Sequence, residues 1–83
     1  MTTKEMIEEI VKELVDEPDG VKVEELKGNT TAVINIKVNK GDLGKVIGKQ
    51  GRIISSLRVI FGSIFAKNNT KAIIEVSDHQ AKE

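Results

Sequence analysis

Met6, Ile7, Ile10, Val11, Leu14 and Val15 recur at the spacing of one helical face, and Glu5, Glu8, Glu9, Lys12 and Glu13 fill the positions between them. That pattern predicts an amphipathic helix at the start of the chain. It ends before Glu17-Pro18-Asp19-Gly20, which has proline second and glycine fourth, a composition suited to a turn. Val21 and Val23 then alternate with Lys22 and Glu24. After Gly28-Asn29-Thr30, Ala32, Ile34, Ile36 and Val38 alternate with Val33, Asn35 and Lys37. The period of two predicts a hairpin, its second strand better buried than its first. A short helix is expected from about Gly41 to Ile47, with Leu43, Val46 and Ile47 on one face and Asp42 near its positive N-terminal end. A longer helix begins at Gly51 or Arg52. Its apolar residues, Ile53, Ile54, Leu57, Ile60, Phe61, Ile64 and Phe65, cover an arc of roughly 140°. It stops at Asn68-Asn69, and residues 71–76 predict a third strand followed by polar residues.

The order helix, strand, strand, helix, helix, strand predicts an α+β domain in which three helices cover one face of a three-stranded mixed sheet. The domain is bounded at residues 1–77, with a polar tail at 78–83. Eighty-three residues allow one modest core and no deep substrate cavity. With no cysteine, the core must hold the fold without disulfides, and thiolate metal sites and cysteine nucleophiles are excluded. The first ten residues are acidic and amphipathic rather than basic and then apolar, and no run of eighteen apolar residues occurs. A cytoplasmic protein with no membrane association is expected.

The formal net charge of zero conceals a segregation. Residues 1–25 carry three lysines against nine acids, so the remainder of the chain carries a net charge of plus six. Between residues 40 and 71, Lys40, Lys45, Lys49, Arg52, Arg58, Lys67 and Lys71 face only Asp42. A local excess of that size points to an anionic partner, although an acidic and a basic solvated helix would balance in the same way. At the centre of the excess lies GKVIGKQGRII, residues 44–54. A P-loop would need one more residue between Gly44 and the GK pair and a Ser or Thr where Gln50 stands, and a dinucleotide fingerprint would need glycines spaced two and three apart after a strand. Neither fits. A four-residue turn with glycine at both ends, Gly48 and Gly51, removes Cβ atoms that would hold a ligand backbone away. The next helix adds N–H donors and the positive end of its dipole, and Lys49 and Arg52 add full charges. Such a turn suits a phosphodiester. On the residues of the turn alone, a left-handed cap at Gly48 and a flexible start at Gly51, with no ligand, is the commoner use of such glycines.

Val46-Ile47-Gly48-Lys49-Gln50-Gly51-Arg52-Ile53-Ile54 resembles the VIGxxGxxI signature of KH domains, single-stranded nucleic-acid binders whose GxxG loop clamps the backbone. The element order over the whole chain resembles the type II KH fold, and the size, acidic first helix and GKVIGKQGR resemble the KhpA (YlqC) family of small stand-alone bacterial KH proteins. The resemblance implies single-stranded RNA as partner and a role in post-transcriptional regulation. It also implies self-association into a homodimer, or a heterodimer with a KhpB (Jag)-like protein, and it requires no cofactor. Residue by residue, it places Gly48, Lys49, Gln50 and Gly51 at the sugar-phosphate backbone and Gly44, Ile47, Arg52 and Ile54 around a groove, with Ile73 and Glu75 as candidates for the other wall. Ile47 and Ile54 are core positions by periodicity as well. With two phenylalanines, both at core spacing, and no tryptophan or tyrosine, there is no aromatic platform.

Catalysis has no support in the sequence: the one histidine, His79, falls in the polar tail where exposure is expected, and no nucleophile, acid pair or metal set is arranged. Two other readings compete. One is a helix-turn-helix reading duplex DNA, against which the outward residues Ser55, Arg58, Val59 and Gly62 supply few base readers. The other is a dimerisation module without RNA binding. A self-association surface is expected on the long helix, where Ile60 lies at the margin of the apolar arc among Ser56, Val59 and Ser63, the alternative being that Ile60 is ordinary core.

Overall fold

Thr2 opens the first helix by a reciprocal capping box. Its hydroxyl accepts the Glu5 N–H at 3.1 Å, and the Glu5 carboxylate accepts the Thr2 N–H at 2.8 Å. The Thr2 amide, and after it the Thr2 hydroxyl, hold the Glu5 carboxyl below its ordinary pKa. In the computed structural model, which describes residues 1–79, this cap starts α1, Thr3–Leu14. Ile7 and Val11 turn inward, and Ile10 remains exposed at the edge of the face. The Glu17 to Gly20 turn forms as expected: the Gly20 N–H donates to the Glu17 carbonyl at 2.9 Å and the Val21 N–H to that of Pro18 at 3.1 Å.

Strand β1, Lys22–Lys27, pairs antiparallel with β2, Thr31–Val38, and β2 pairs in parallel with β3, Lys71–Asp78, so β2 is central. The two-residue period of β2 puts Ala32, Ile34, Ile36 and Val38 on one fully buried face. Helix α1, the short α2, Leu43–Ile47, and the long α3, Arg52–Lys67, cover that face, contributing Ile7, Val11, Val46, Leu57, Phe61 and Phe65. The opposite face carries Leu26 across from Val33 and is left to solvent. This is the α+β architecture that the type II KH resemblance implies.

Three local readings change. Strand β3 runs past the expected 71–76, because pairing with the eight residues of β2 uses backbone groups and requires no apolar side chain at Ser77 or Asp78. His79 is exposed by area, yet its N–H donates to the Val38 carbonyl at 3.1 Å and its ring hydrogen-bonds the Gly20 carbonyl. The remainder of the expected tail, residues 80–83, lies outside the described residues. The helix expected from Gly41 divides into a 3-10 turn, Lys40–Asp42, and α2. Asp42 stands at the N-cap of α2, as expected, but its side chain makes no capping hydrogen bond there. It is 3% exposed and accepts the backbone N–H groups of Asp16 at 3.1 Å and Glu17 at 3.0 Å, binding the end of α1 to the start of α2.

Candidate functional site

The turn between α2 and α3 is built from backbone conformations that ordinary residues avoid. Gly48 has φ 80° and ψ 171°, Gln50 φ 57° and ψ 26°, and Gly51 φ 73° and ψ 17°. The two glycines are there for different reasons. A Cβ on Gly48 would come within 2.5 Å of the Ile53 side chain, so packing as well as backbone hand requires glycine. A Cβ on Gly51, or on the exposed Gly44, would meet nothing within 4 Å. Hydrogen bonds close the turn: the Gly48 N–H donates to the Gly44 carbonyl at 2.8 Å, the Gly51 N–H to Gly48 at 3.1 Å, and the Arg52 N–H to Lys49. At the tip of the closed turn stand Lys49 and Gln50, both exposed. Arg52 Nη2 donates to Gln50 Oε1 at 3.1 Å and holds the guanidinium over the turn. Lys45, by contrast, is drawn to Asp16 at 3.3 Å.

Beside the turn lies an open groove of about 470 Å³. Ile47 and Ile54 form its helical side, Glu75, Val76 and Ser77 its strand side, and Asn35 and Arg58 complete it. Ile54 belongs to the core and to the groove at once. Arg58 Nε donates to the Ile74 carbonyl at 3.1 Å, so a charged side chain bridges α3 to the outer strand. Of the two residues considered for the far wall, Glu75 lines the groove and Ile73 does not. Among the described residues, no three of His, Cys, Asp and Glu come together as a metal site would require, and no helix is long and apolar enough to cross a membrane.

A family model described as KhpA/KhpB, KH domain, matches residues 4–76. The chain belongs to that family. It is 45% identical over 73 residues to the RNA-binding protein KhpA of Aquifex aeolicus, covering 88% of this chain and 92% of the other. To the RNA-binding protein KhpA of Clostridium perfringens it is 42% identical over 73 residues, 88% and 97% of the two chains. To that of Chlamydia trachomatis it is 39% identical over 77 residues, 93% and 99%.

Within this KhpA/KhpB domain, Gly44, Ile47, Gly48, Lys49, Gln50, Gly51, Arg52 and Ile54 come together around the turn and groove. Ser56, Val59, Ile60 and Ser63 do not join them. They lie on the outer side of α3, where Val59 is 69% and Ile60 54% exposed, so Ile60 is not ordinary core. The Ser56 hydroxyl donates to the Arg52 carbonyl and the Ser63 hydroxyl to that of Val59, both at 2.8 Å, which turns the serines' polarity back onto their own helix. Sequence reasoning passed over Arg58 and Asn35 as groove residues. The signals were present: Arg58 lies one turn beyond Ile54 on the same face, and Asn35 is an uncharged polar residue in the middle of the central strand.

Proposed function

We propose that this chain is a non-catalytic single-stranded RNA-binding protein whose Gly48-Lys49-Gln50-Gly51 turn clamps the sugar-phosphate backbone. The observation that carries the reading is the junction of a sharply constrained turn, bearing exposed Lys49 and Arg52, with an open groove that sets Ile47 and Ile54 against polar side chains. Phosphates would lie against Lys49, Arg52 and the N-terminal end of α3, where full charges and the helix dipole act together. Bases would lie over Ile47 and Ile54, with Asn35 and Glu75 offering acceptors, and Asn35 donors, to their edges. The relatives named above carry RNA binding in their names, which supports the same assignment.

A duplex-reading helix-turn-helix is disfavoured by Arg58, the one basic residue on the exposed middle of α3: its Nε is bonded to the Ile74 carbonyl and drawn to the sheet edge. A strand without a complement can place its bases in the groove, whereas a recognition helix needs an intact major groove. Titrating one sequence as single-stranded RNA and as duplex DNA at equal salt separates the two. Tighter binding to the single strand is expected, and duplex preference would reverse the assignment.

The protein acts as a dimer, or paired with a second KH protein of the KhpB kind, in post-transcriptional regulation in the cytoplasm. Support comes from the exposed Ile60 and Val59 flanked by self-satisfied serines, a surface on which a second helix can approach closely. A two-fold contact uses the same patch on both chains.

A further inference from the structure

We infer that the bound strand does not leave the protein at the groove beside the turn but continues along the seam between α3 and β3 into a second subsite for nucleotides at its far end. This rests on the clamp reading above and extends it.

The seam is longer than the groove. Helix α3, at sixteen residues, is about 24 Å long, and β3, at eight, about 26 Å. The Arg58 to Ile74 hydrogen bond crosses between them near the middle and divides the seam in two. On the turn side is the groove already described. On the other side is a cleft of about 570 Å³, with Gly62 and Ala66 on the helix, Lys71 and Ala72 on the strand, and Asn69 and Thr70 at its end. Its floor is made of the smallest side chains, which lets a flat ring approach, and its rim supplies an amide, a hydroxyl and an ammonium. Among the described residues no carboxylate lines it, although the first groove carries Glu75. Apolar floor, hydrogen-bonding rim and positive charge without a counter-charge together match a nucleotide. Arg58 donates to Ile74 through Nε, and among the described residues its Nη protons remain for a phosphate passing from one cleft to the next.

A GxxG turn holds about four nucleotides. At one phosphate per ~3.4 Å of stacked strand, the remaining half of the seam accommodates about three more.

The test is the length dependence of binding, measured by fluorescence anisotropy at fixed salt with unstructured oligonucleotides of uridylate four to eight residues long. A four-nucleotide site alone gains only the statistical factor of alternative registers, about fivefold for the octamer. With the second subsite, the wild-type protein gains about thirtyfold or more. Ala66→Leu, which fills the cleft at an exposed helical position compatible with leucine, brings the gain back to about fivefold and leaves tetramer affinity unchanged. Lys71→Glu does the same and lowers the salt slope of octamer binding by about one or more. A wild-type gain no greater than the statistical factor would overturn the inference. So would wild-type length dependence in folded Ala66→Leu and Lys71→Glu, or a change of oligomeric state in Ala66→Leu, which would make the seam a protein contact. A Lys49→Asp/Gln50→Asp variant loses tetramer and octamer alike. If it binds both as the wild type does, the clamp reading itself fails, and the extension with it.

Discussion

Replacing Lys49 and Gln50 by aspartate changes the charge of the turn by three units at two exposed positions. Exposure sets the magnitude. With the side chains in water, the effective dielectric is high, between about 40 and 80, and a phosphate ~7 Å away exchanges about 0.6–1.2 kcal/mol with each unit of charge. Three units amount to about 2–3.5 kcal/mol, or roughly 20- to 400-fold in the dissociation constant, with the lower end applying at physiological salt, where screening acts over about 8 Å. The fold should scarcely respond. Gln50 sits at φ 57°, a conformation aspartate adopts more readily than most residues, and exposed substitutions of this kind shift stability by about 0.5 kcal/mol, or no more than about 4 °C in a domain of this size. The pair matters more than either change alone, because an aspartate at position 50 beside Arg52 would also draw the guanidinium away from a phosphate. The assay is a fluorescence titration of a short single-stranded RNA, with a thermal melt on the same sample. A folded variant that binds with unaltered affinity would refute the role given to the turn.

Ile60→Lys should yield a folded monomer with a nearly unchanged melt, since Ile60 is half exposed and each chain would meet the new charge twice across a two-fold axis. Light scattering that shows a persisting dimer, or a wild-type protein already monomeric at high concentration, would remove the interface. Gly48→Ala should cost about 2 kcal/mol or more in urea denaturation, through the Ile53 clash and the positive φ together, whereas Gly51→Ala should cost about 1 kcal/mol, from backbone hand alone. Equal losses would show that packing does not distinguish them. Thr2→Ala should cost about 1 kcal/mol by loss of the cap. Because the Glu5 carboxyl is lowered in the folded chain, its contribution is complete above the unfolded pKa and disappears as pH falls through the folded one. Acid melts of the wild type and Thr2→Ala should therefore both fall yet stay apart, because the hydroxyl's bond to the Glu5 N–H does not titrate and the backbone N–H at position 2 still donates to the carboxylate in the variant.

What the sequence disclosed followed the groups that carried the information. Ile7 and Val11, the alternation from Ala32 to Val38, and Leu57, Phe61 and Phe65 are side chains whose burial is their only requirement, so their spacing stated the elements directly. The turn was legible because glycines and charges coincide within eleven residues. Less legible were features that depend on backbone or on distant partners. The end of β3 is set by pairing with β2, and Ser77 and Asp78 carry no apolar mark of it. Asp42 has the composition and place of a helix cap, and only the arrival of residues 16 and 17 beside it gives it another task. Arg58 resembles any solvated arginine until the Ile74 carbonyl comes alongside.

That displaced carboxylate also determines how the molecule can open. The stretch from Val15 to Val21, irregular but for one 3-10 turn, would ordinarily be the first to fluctuate independently. Asp42 binds two of its amides, and Asp16 reaches back to Lys45, so the amides of residues 16 and 17 are expected to exchange with solvent only when the start of α2 lets go. The helix leading into the turn is five residues long, too short to be stable by itself. It shares one cooperative unit with the acidic N-terminal segment, and the rigidity of the basic turn is held in trust by the end of the chain that carries the opposite charge.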